Sequence, residues 1–194
     1  MTACLRTADG RALPMRGDCW LAPLTPEDES VLARARPPVL DVGCGPGRHV
    51  LALAERGVLA LGIDITPAAL DLARRRGAPV LARSVFDRVP AAGRWASALL
   101  LDGNVGIGGV PRTLLERVAV LLAPGGVVLV ELAPPGTTPH AEIVRFDLGG
   151  KDGPWFAWTA VGADELAAPA AAAGLLVEEL WAVGGRWFGA LRRE

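Results

Sequence analysis

The chain has 194 residues, 51% of them hydrophobic and 21% charged, a balance that fits one globular domain around one sizeable core and excludes a disordered segment. Twenty basic residues against twenty-one acidic ones leave a formal charge of −1, so no global field draws the chain to nucleic acid or to an acidic membrane. The three cysteines, Cys4, Cys19 and Cys44, lack CxxC spacing and argue against a disulfide framework or a structural zinc site, and Arg6, Asp9 and Arg11 interrupt any apolar leader, so a soluble cytoplasmic protein is expected.

Residues 1–36 read as an N-terminal extension, in which Thr25-Pro26-Glu27-Asp28 opens a short helix with acidic residues in its first turn. The core, 37–194, then alternates short apolar runs with helix-length segments. Val39–Val42 reads as a first strand and Arg48–Arg56 as a helix stopped by Gly57. Val58–Ile63 is a second strand. Thr66-Pro67 starts a helix that Gly77 ends. Val80–Val85 and Trp95–Leu101 are the third and fourth strands. Pro111–Leu122 is a helix with Leu114, Leu115, Val118 and Leu122 on one stripe, and Val127–Leu132 is the fifth strand. Apolar strands alternating with helices predict an α/β fold with a parallel sheet covered on both faces and right-handed crossovers.

The tail is organised differently. Ala141–Leu148 and Trp155–Val161 flank a turn-rich GGKDGP segment and predict a hairpin inserted after the fifth strand. Asp164–Ala173 predicts a helix. Leu175–Val183 and Arg186–Leu191 are joined by Gly184-Gly185, a link short enough to make the pair antiparallel. No repeat or low-complexity linker divides the chain, so one domain is expected.

Gly43, Gly45 and Gly47 alternate directly after a strand and before a helix, where glycine permits a sharp turn and close approach of a ligand to the backbone. Asp64, at the end of the second strand, suits a ribose diol. Asp41 distinguishes between cofactors: a dinucleotide loop is usually apolar at that position and carries glycine where this chain has Arg48. A carboxylate there suits a ligand with a positive amino group.

The segment DVGCGPGRH at 41–49 resembles the first motif of class I S-adenosylmethionine (SAM)-dependent methyltransferases. LGIDITP at 61–67 is similar to the end of their second strand, and LAPGG at 122–126 to the loop before their fifth. The resemblance covers about Pro38 to Leu132. It implies a Rossmann-like, three-layer αβα sandwich with a seven-stranded sheet, counted in chain order as 3-2-1-4-5-7-6 with the seventh strand antiparallel. It further implies that Gly43, Cys44, Gly45 and Gly47 pass the methionine part of SAM, that Asp41 orients its amino group, that Asp64 holds the ribose and that Ile65 packs on adenine. The third strand departs from the family's pattern, since Val85 stands where an Asp is common. Adenine is then read by the backbone N–H groups of Val85 and Phe86, with Asp87 either a partner or a turn residue.

Methyl transfer needs mainly in-line positioning, plus a base if the acceptor loses a proton. Asp102 and Asn104, in the glycine-rich segment after the fourth strand, are the polar groups expected at the reaction site, as catalytic candidates and as contacts to SAM (Asp102) and acceptor (Asn104). An Asx-type turn is the alternative for both. Trp20 and His140 are further acceptor-contact candidates; Trp20 with Trp155 and Trp158 of the hairpin either lines a lid or packs, and His140 is otherwise a solvated loop residue. Trp95, Trp181 and Trp187 are expected in the core, and His49 to cap or pack. No metal is expected. The reading is a SAM-dependent methyltransferase of a small-molecule acceptor, monomeric or homodimeric, with neither nucleic acid nor membrane as partner. A non-catalytic SAM- or S-adenosylhomocysteine (SAH)-binding protein and an NAD-dependent oxidoreductase stay as alternatives; Asp41 and Arg48 count against the latter.

Overall fold

A computed structural model describes residues 3–13, 20–148 and 152–194. Strand β1 (Ala3–Thr7) and helix α1 (Pro26–Leu32) precede an alternation of β2 (Val39–Val42), α2 (Arg48–Glu55), β3 (Ala60–Asp64), α3 (Pro67–Arg75), β4 (Val80–Ala82), β5 (Trp95–Leu100), α4 (Pro111–Leu121) and β6 (Leu122–Leu132). The hairpin β7 (Ala141–Leu148) and β8 (Asp152–Thr159), helix α5 (Ala167–Ala172), and the strands β9 (Leu175–Val183) and β10 (Arg186–Arg193) complete the chain.

Seven strands form one sheet in the order β4-β3-β2-β5-β6-β10-β9. Pairs among β2 to β6 are parallel, whereas β10 runs antiparallel to both β6 and β9. This is the predicted order with its one reversed strand. Neighbouring residues of a strand feed opposite faces: Val39 packs with Val31, Leu32, Val50 and Leu53 of α1 and α2, and Leu40 with Leu114, Leu115, Val118 and Ala170 of α4 and α5. Helices on both faces explain why these strands read as unbroken apolar runs rather than as an alternation.

Several boundaries differ from expectation. β4 stops at Ala82 because residues 83–87 turn away, with the Asp87 N–H donating to the Ser84 carbonyl at 3.1 Å. β6 begins at Leu122, opposite Trp95, and the glycines expected to form a loop lie within it, beside a register shift. The helix expected from Asp164 is a 3-10 turn, Ala163–Glu165, followed by α5; Pro169 falls in the first turn of α5, where its missing N–H has no intrahelical partner to lose.

The N-terminal extension holds the main surprise. β1 pairs antiparallel with β7, which pairs with β8, giving a separate three-stranded sheet. Leu5 and Phe146 face each other across the first pair, and Leu5, Leu13, Trp20, Val144 and Phe146 form a small apolar cluster with Ala69 of α3. The cover sheet thus docks on α3 at the carboxyl end of the parallel strands. Cys19 and the hairpin-turn residues Gly149, Gly150 and Lys151 lie outside the described residues. No helix among the described residues is long and apolar enough to cross a membrane.

Candidate active site

A pocket with about 1020 Å³ of empty space, part of it open to solvent, lies at the carboxyl ends of β2, β3 and β5. Its floor is the glycine loop. Gly43, Cys44, Gly45 and Pro46 line it directly. Gly45 has a φ of 52°, and a Cβ added there would meet nothing within 4 Å, so the bare backbone faces open space. Gly43 is different: a Cβ would lie 2.6 Å from Asn104 Nδ2, which occupies that side. Gly47 does not line the pocket. Its Cβ direction points at Ala73 and Ala78, so this glycine serves close packing against α3 and the following turn rather than the cofactor contact expected of it.

Asp64 stands in the wall where β3 ends. Its Oδ2 accepts the Gly45 N–H at 2.8 Å and its Oδ1 the Thr66 N–H at 2.7 Å, so one carboxylate fixes both the glycine loop and the start of α3. Burial pushes its pKa up, opposed by these backbone donors. Ile65 follows in the wall. Asp41 sits behind the loop, buried, with Oδ2 lacking a hydrogen-bond partner. Burial raises its pKa to about 6, with the charges of Asp102 and Asp64 adding to the effect and those of His49 and Arg48 opposing it. Cys44, packed against Gly62, has its thiol pKa raised by burial and by the charges of Asp41 and Asp64.

Val85 and Phe86 both line the pocket, but the adenine-reading role expected of the Phe86 N–H needs correction: that N–H donates to Ser84 Oγ at 3.2 Å. The Phe86 ring is 44% exposed and rests on Gly108. Asn104 also departs from expectation in part. It lines the pocket as expected, but its amide N–H groups donate to the carbonyls of Val42 and Gly43, both at 2.9 Å, and brace the glycine loop, which leaves Oδ1 as the group that could meet a reactant. Asp102 lines the pocket with a φ of 54°, its N–H donating to Glu131 Oε2 at 2.8 Å and its Oδ1 lying 3.7 Å from Arg48 and 3.8 Å from Arg186. Burial raises its pKa, and Glu131 adds to the rise, while His49 and the two arginines oppose it.

The roof comes from the cover sheet. Leu5, Phe146 and Phe156 line the pocket together with Trp20, which stacks on Phe146 with ring centroids 4.9 Å apart. The hairpin is fastened to the segment after β5: Trp158 Nε1 donates to the Gly103 carbonyl at 3.0 Å, and the Gly108 N–H to the Ala157 carbonyl at 2.8 Å. Trp158 is therefore a fastening rather than a lid residue. Trp155 is 47% exposed beneath the Arg145 guanidinium and lines no part of the pocket. His140 is corrected as well: its side chain is 77% exposed, outside the pocket wall, 3.7 Å from Glu142.

Sequence reasoning missed a buried ionic cluster beside the glycine loop, at the start of α2. Asp28 of α1, fully buried, accepts from Arg48 and from Arg186 (2.7 Å), lies 3.5 Å from His49 Nε2 and closes the helix cap by accepting the Thr25 N–H. Arg186 also grips Glu131 through two bonds, at 2.8 and 2.7 Å. Burial alone would raise the Asp28 pKa, but the donors of His49, Thr25 and Arg186 and the charge of Arg48 hold it well below the usual range. Arg48 and His49 reach the pocket wall from this cluster. The capping motif at Thr25–Asp28 was visible in the sequence; that its carboxylate also neutralises two arginines, one far along the chain, was not. Among the described residues no group of three or more His, Cys, Asp or Glu could hold a metal.

A glycine loop at the carboxyl ends of parallel strands, with an acidic residue closing the next strand, is the arrangement of Rossmann-like folds. Residues 39–126 match the family model described as a methyltransferase domain. Trans-aconitate 2-methyltransferase of Methylobacterium radiotolerans is 34% identical over 125 residues, covering 61% of this chain and 45% of that one. The chain thus spans less than half the length of this curated relative. A SAM-dependent methyltransferase from Bacteroides fragilis, solved in complex with SAH, superposes with a TM-score of 0.80 at 24% identity, covering 98% of this chain and 87% of that one. A Burkholderia thailandensis 1,6-didemethyltoxoflavin N1-methyltransferase, solved with that compound and SAH, gives a TM-score of 0.66 at 21% identity, covering 91% and 81%. Residues 39–126 thus resemble a methyltransferase domain, and the whole chain shares the fold of these SAM-dependent methyltransferases.

Proposed function

We propose that the chain transfers a methyl group from SAM to a small-molecule acceptor, leaving SAH. The observation that carries this reading is the Asp64 carboxylate, held by the Gly45 and Thr66 N–H groups in the wall of a pocket floored by the glycine loop. Two features of the wall fit the donor, the empty space over Gly45 and the remaining lone pairs of Asp64 for a ribose diol; the partnerless Asp41 Oδ2, behind the loop, would reach an ammonium group through water. SAM supplies a methyl group on a sulfonium. The chain's own residues orient and enclose: Asp64 fixes the ribose, Ile65 and Val85 flank the base, Asn104 keeps the loop in register, Asp102 borders the reacting end, and Trp20 with the cover sheet excludes water. Free thiols at Cys4 and Cys44 support a cytoplasmic location.

Calorimetry with SAM, SAH and NAD tests this. SAH at a hundred times its Kd adds about 2.7 kcal/mol of stability, and Asp64→Ala weakens its binding at least about tenfold, near 1.4 kcal/mol. Stabilisation by NAD and none by SAH overturns it.

A further inference from the structure

We propose that His49, oriented by Asp28, is the proton acceptor for the methyl-acceptor group, and that this group is an ionisable O–H or N–H on an apolar, ring-bearing molecule. The inference rests on the methyl-transfer reading above.

His49 is buried yet lines the pocket, beside Asp102. Its Nε2 faces Asp28 Oδ1 at 3.5 Å, and its Nδ1 makes no hydrogen bond to any described residue. A carboxylate behind one ring nitrogen selects the tautomer that leaves the other bare, the arrangement a general base needs. Around the ring stand Asp28 from α1, Asp41 from β2, Asp102 after β5 and Arg48 from its own helix, with Glu131 of β6 and Arg186 of β10 completing the cluster. Four carboxylates face two guanidiniums there, so an added proton on the imidazole is welcome. Burial lowers the His49 pKa, but Asp28, Asp41 and Asp102 outweigh it and the pKa is raised. Asp102 is the weaker candidate for the same task because two guanidiniums already face its Oδ1.

The acceptor's body meets a different surface. Leu5, Trp20, Phe146 and Phe156 present no charge. Trans-aconitate, a tricarboxylate, would need several available cations; of the two arginines that line the pocket, Arg48 is taken by Asp28 and Asp102, which leaves Arg83 alone to meet it. In the reaction the acceptor's X–H bond breaks and its proton passes to Nδ1. The freed pair forms the X–CH3 bond, and the methyl–sulfur bond breaks with its pair left on neutral sulfur. The imidazolium then returns the proton to solvent.

The test uses the full chain loaded with SAH. Only two histidines are present, so 15N-histidine NMR with His140→Gln as the assignment control isolates His49. The expected result is a titration above about 6.5, a neutral form protonated on Nε2 and bare at Nδ1, and a fall of the His49 pKa alone in Asp28→Asn. A neutral form protonated on Nδ1, or no titration between roughly pH 5 and 9, overturns the proposal. SAH affinity in His49→Asn stays within about threefold of wild type; a loss beyond about tenfold makes His49 a cofactor ligand and overturns it too. The probe 4-nitrophenol is then added to the SAH complex, where the phenolate's visible absorbance rises on binding to wild type and not to His49→Asn. Equal absorbance in both, or no binding, overturns the proposal. Failure of wild type to bind SAH at all refutes the methyl-transfer reading instead.

Discussion

Asp28 and Arg186 are 158 positions apart in sequence and meet at 2.7 Å in the buried layer beneath the pocket, joining the N-terminal helix to the reversed strand of the sheet. Each has further partners: Asp28 takes Arg48, and Arg186 takes Glu131. Desolvation makes such a cluster a modest source of stability when complete and a costly one when broken.

Asp28→Ala therefore destabilises the fold by about 3–5 kcal/mol, because two guanidiniums lose a buried counter-ion. The native pKa of Asp28 is depressed, so its contribution is present above the unfolded value of about 3.9 and is lost as pH falls below it. Urea denaturation of wild type and variant at several pH values checks this: the gap between them is widest above about pH 4 and narrows on acidification.

Asp41 has the opposite sign. Its native pKa of about 6 exceeds the unfolded value, so the folded state binds the extra proton and wild-type stability falls as pH rises from about 4 to 6. Asp41→Asn removes that fall. Above pH 6 the variant is more stable than wild type by up to roughly 3 kcal/mol, and below about pH 4 the two coincide. The same variant loses SAH affinity if Oδ2 receives the ligand ammonium, so stability and binding move in opposite directions.

Asn104→Ala leaves the Val42 and Gly43 carbonyls without their side-chain donor, at about 1–3 kcal/mol. The glycine loop loosens, and SAH binding weakens along with folding. Asn104→Asp is worse, since a carboxylate then faces two carbonyl oxygens. Thermal melts with and without SAH separate the two effects.

Two glycines give contrasting outcomes. Gly106→Ala drives a Cβ to 1.8 Å from the Thr159 carbonyl, so the hairpin must shift and the protein is destabilised by more than about 3 kcal/mol. Gly45→Ala meets no atom, so it keeps the fold at a cost of about 1 kcal/mol for its left-handed backbone but places a methyl group in the pocket. Its SAH affinity falls at least about tenfold, near 1.4 kcal/mol.

The parallel sheet was legible in the sequence because its signals are local: apolar runs such as Val39–Val42, a proline at the start of α3, glycines at the stops. Asp64 and the glycine loop were legible for the same reason. What was not legible depends on pairing between distant segments. β1 is five residues followed by a turn at Asp9-Gly10, and its main partner, β7, lies far along the chain. Asn104 looked like a reacting group because its neighbours did not reveal the Val42 and Gly43 carbonyls it binds. His49 is buried as a packing residue is, but its neighbour Asp28 could not be foreseen because it lies 21 positions earlier, in the helix of the extension. His140, chosen for its place in the loop after the fifth strand, lies outside the wall, as a solvated loop residue would.

The roof residues Leu5, Trp20, Phe146 and Phe156 all fall outside the 39–126 stretch that carries the family match, whereas the glycine loop, Asp64 and Asp102 fall within it. On the proposed reading, the apolar roof over the acceptor is thus written outside the stretch that carries the donor loop. Substitutions in β1 or the hairpin would then change which molecule is methylated while the donor loop keeps its sequence.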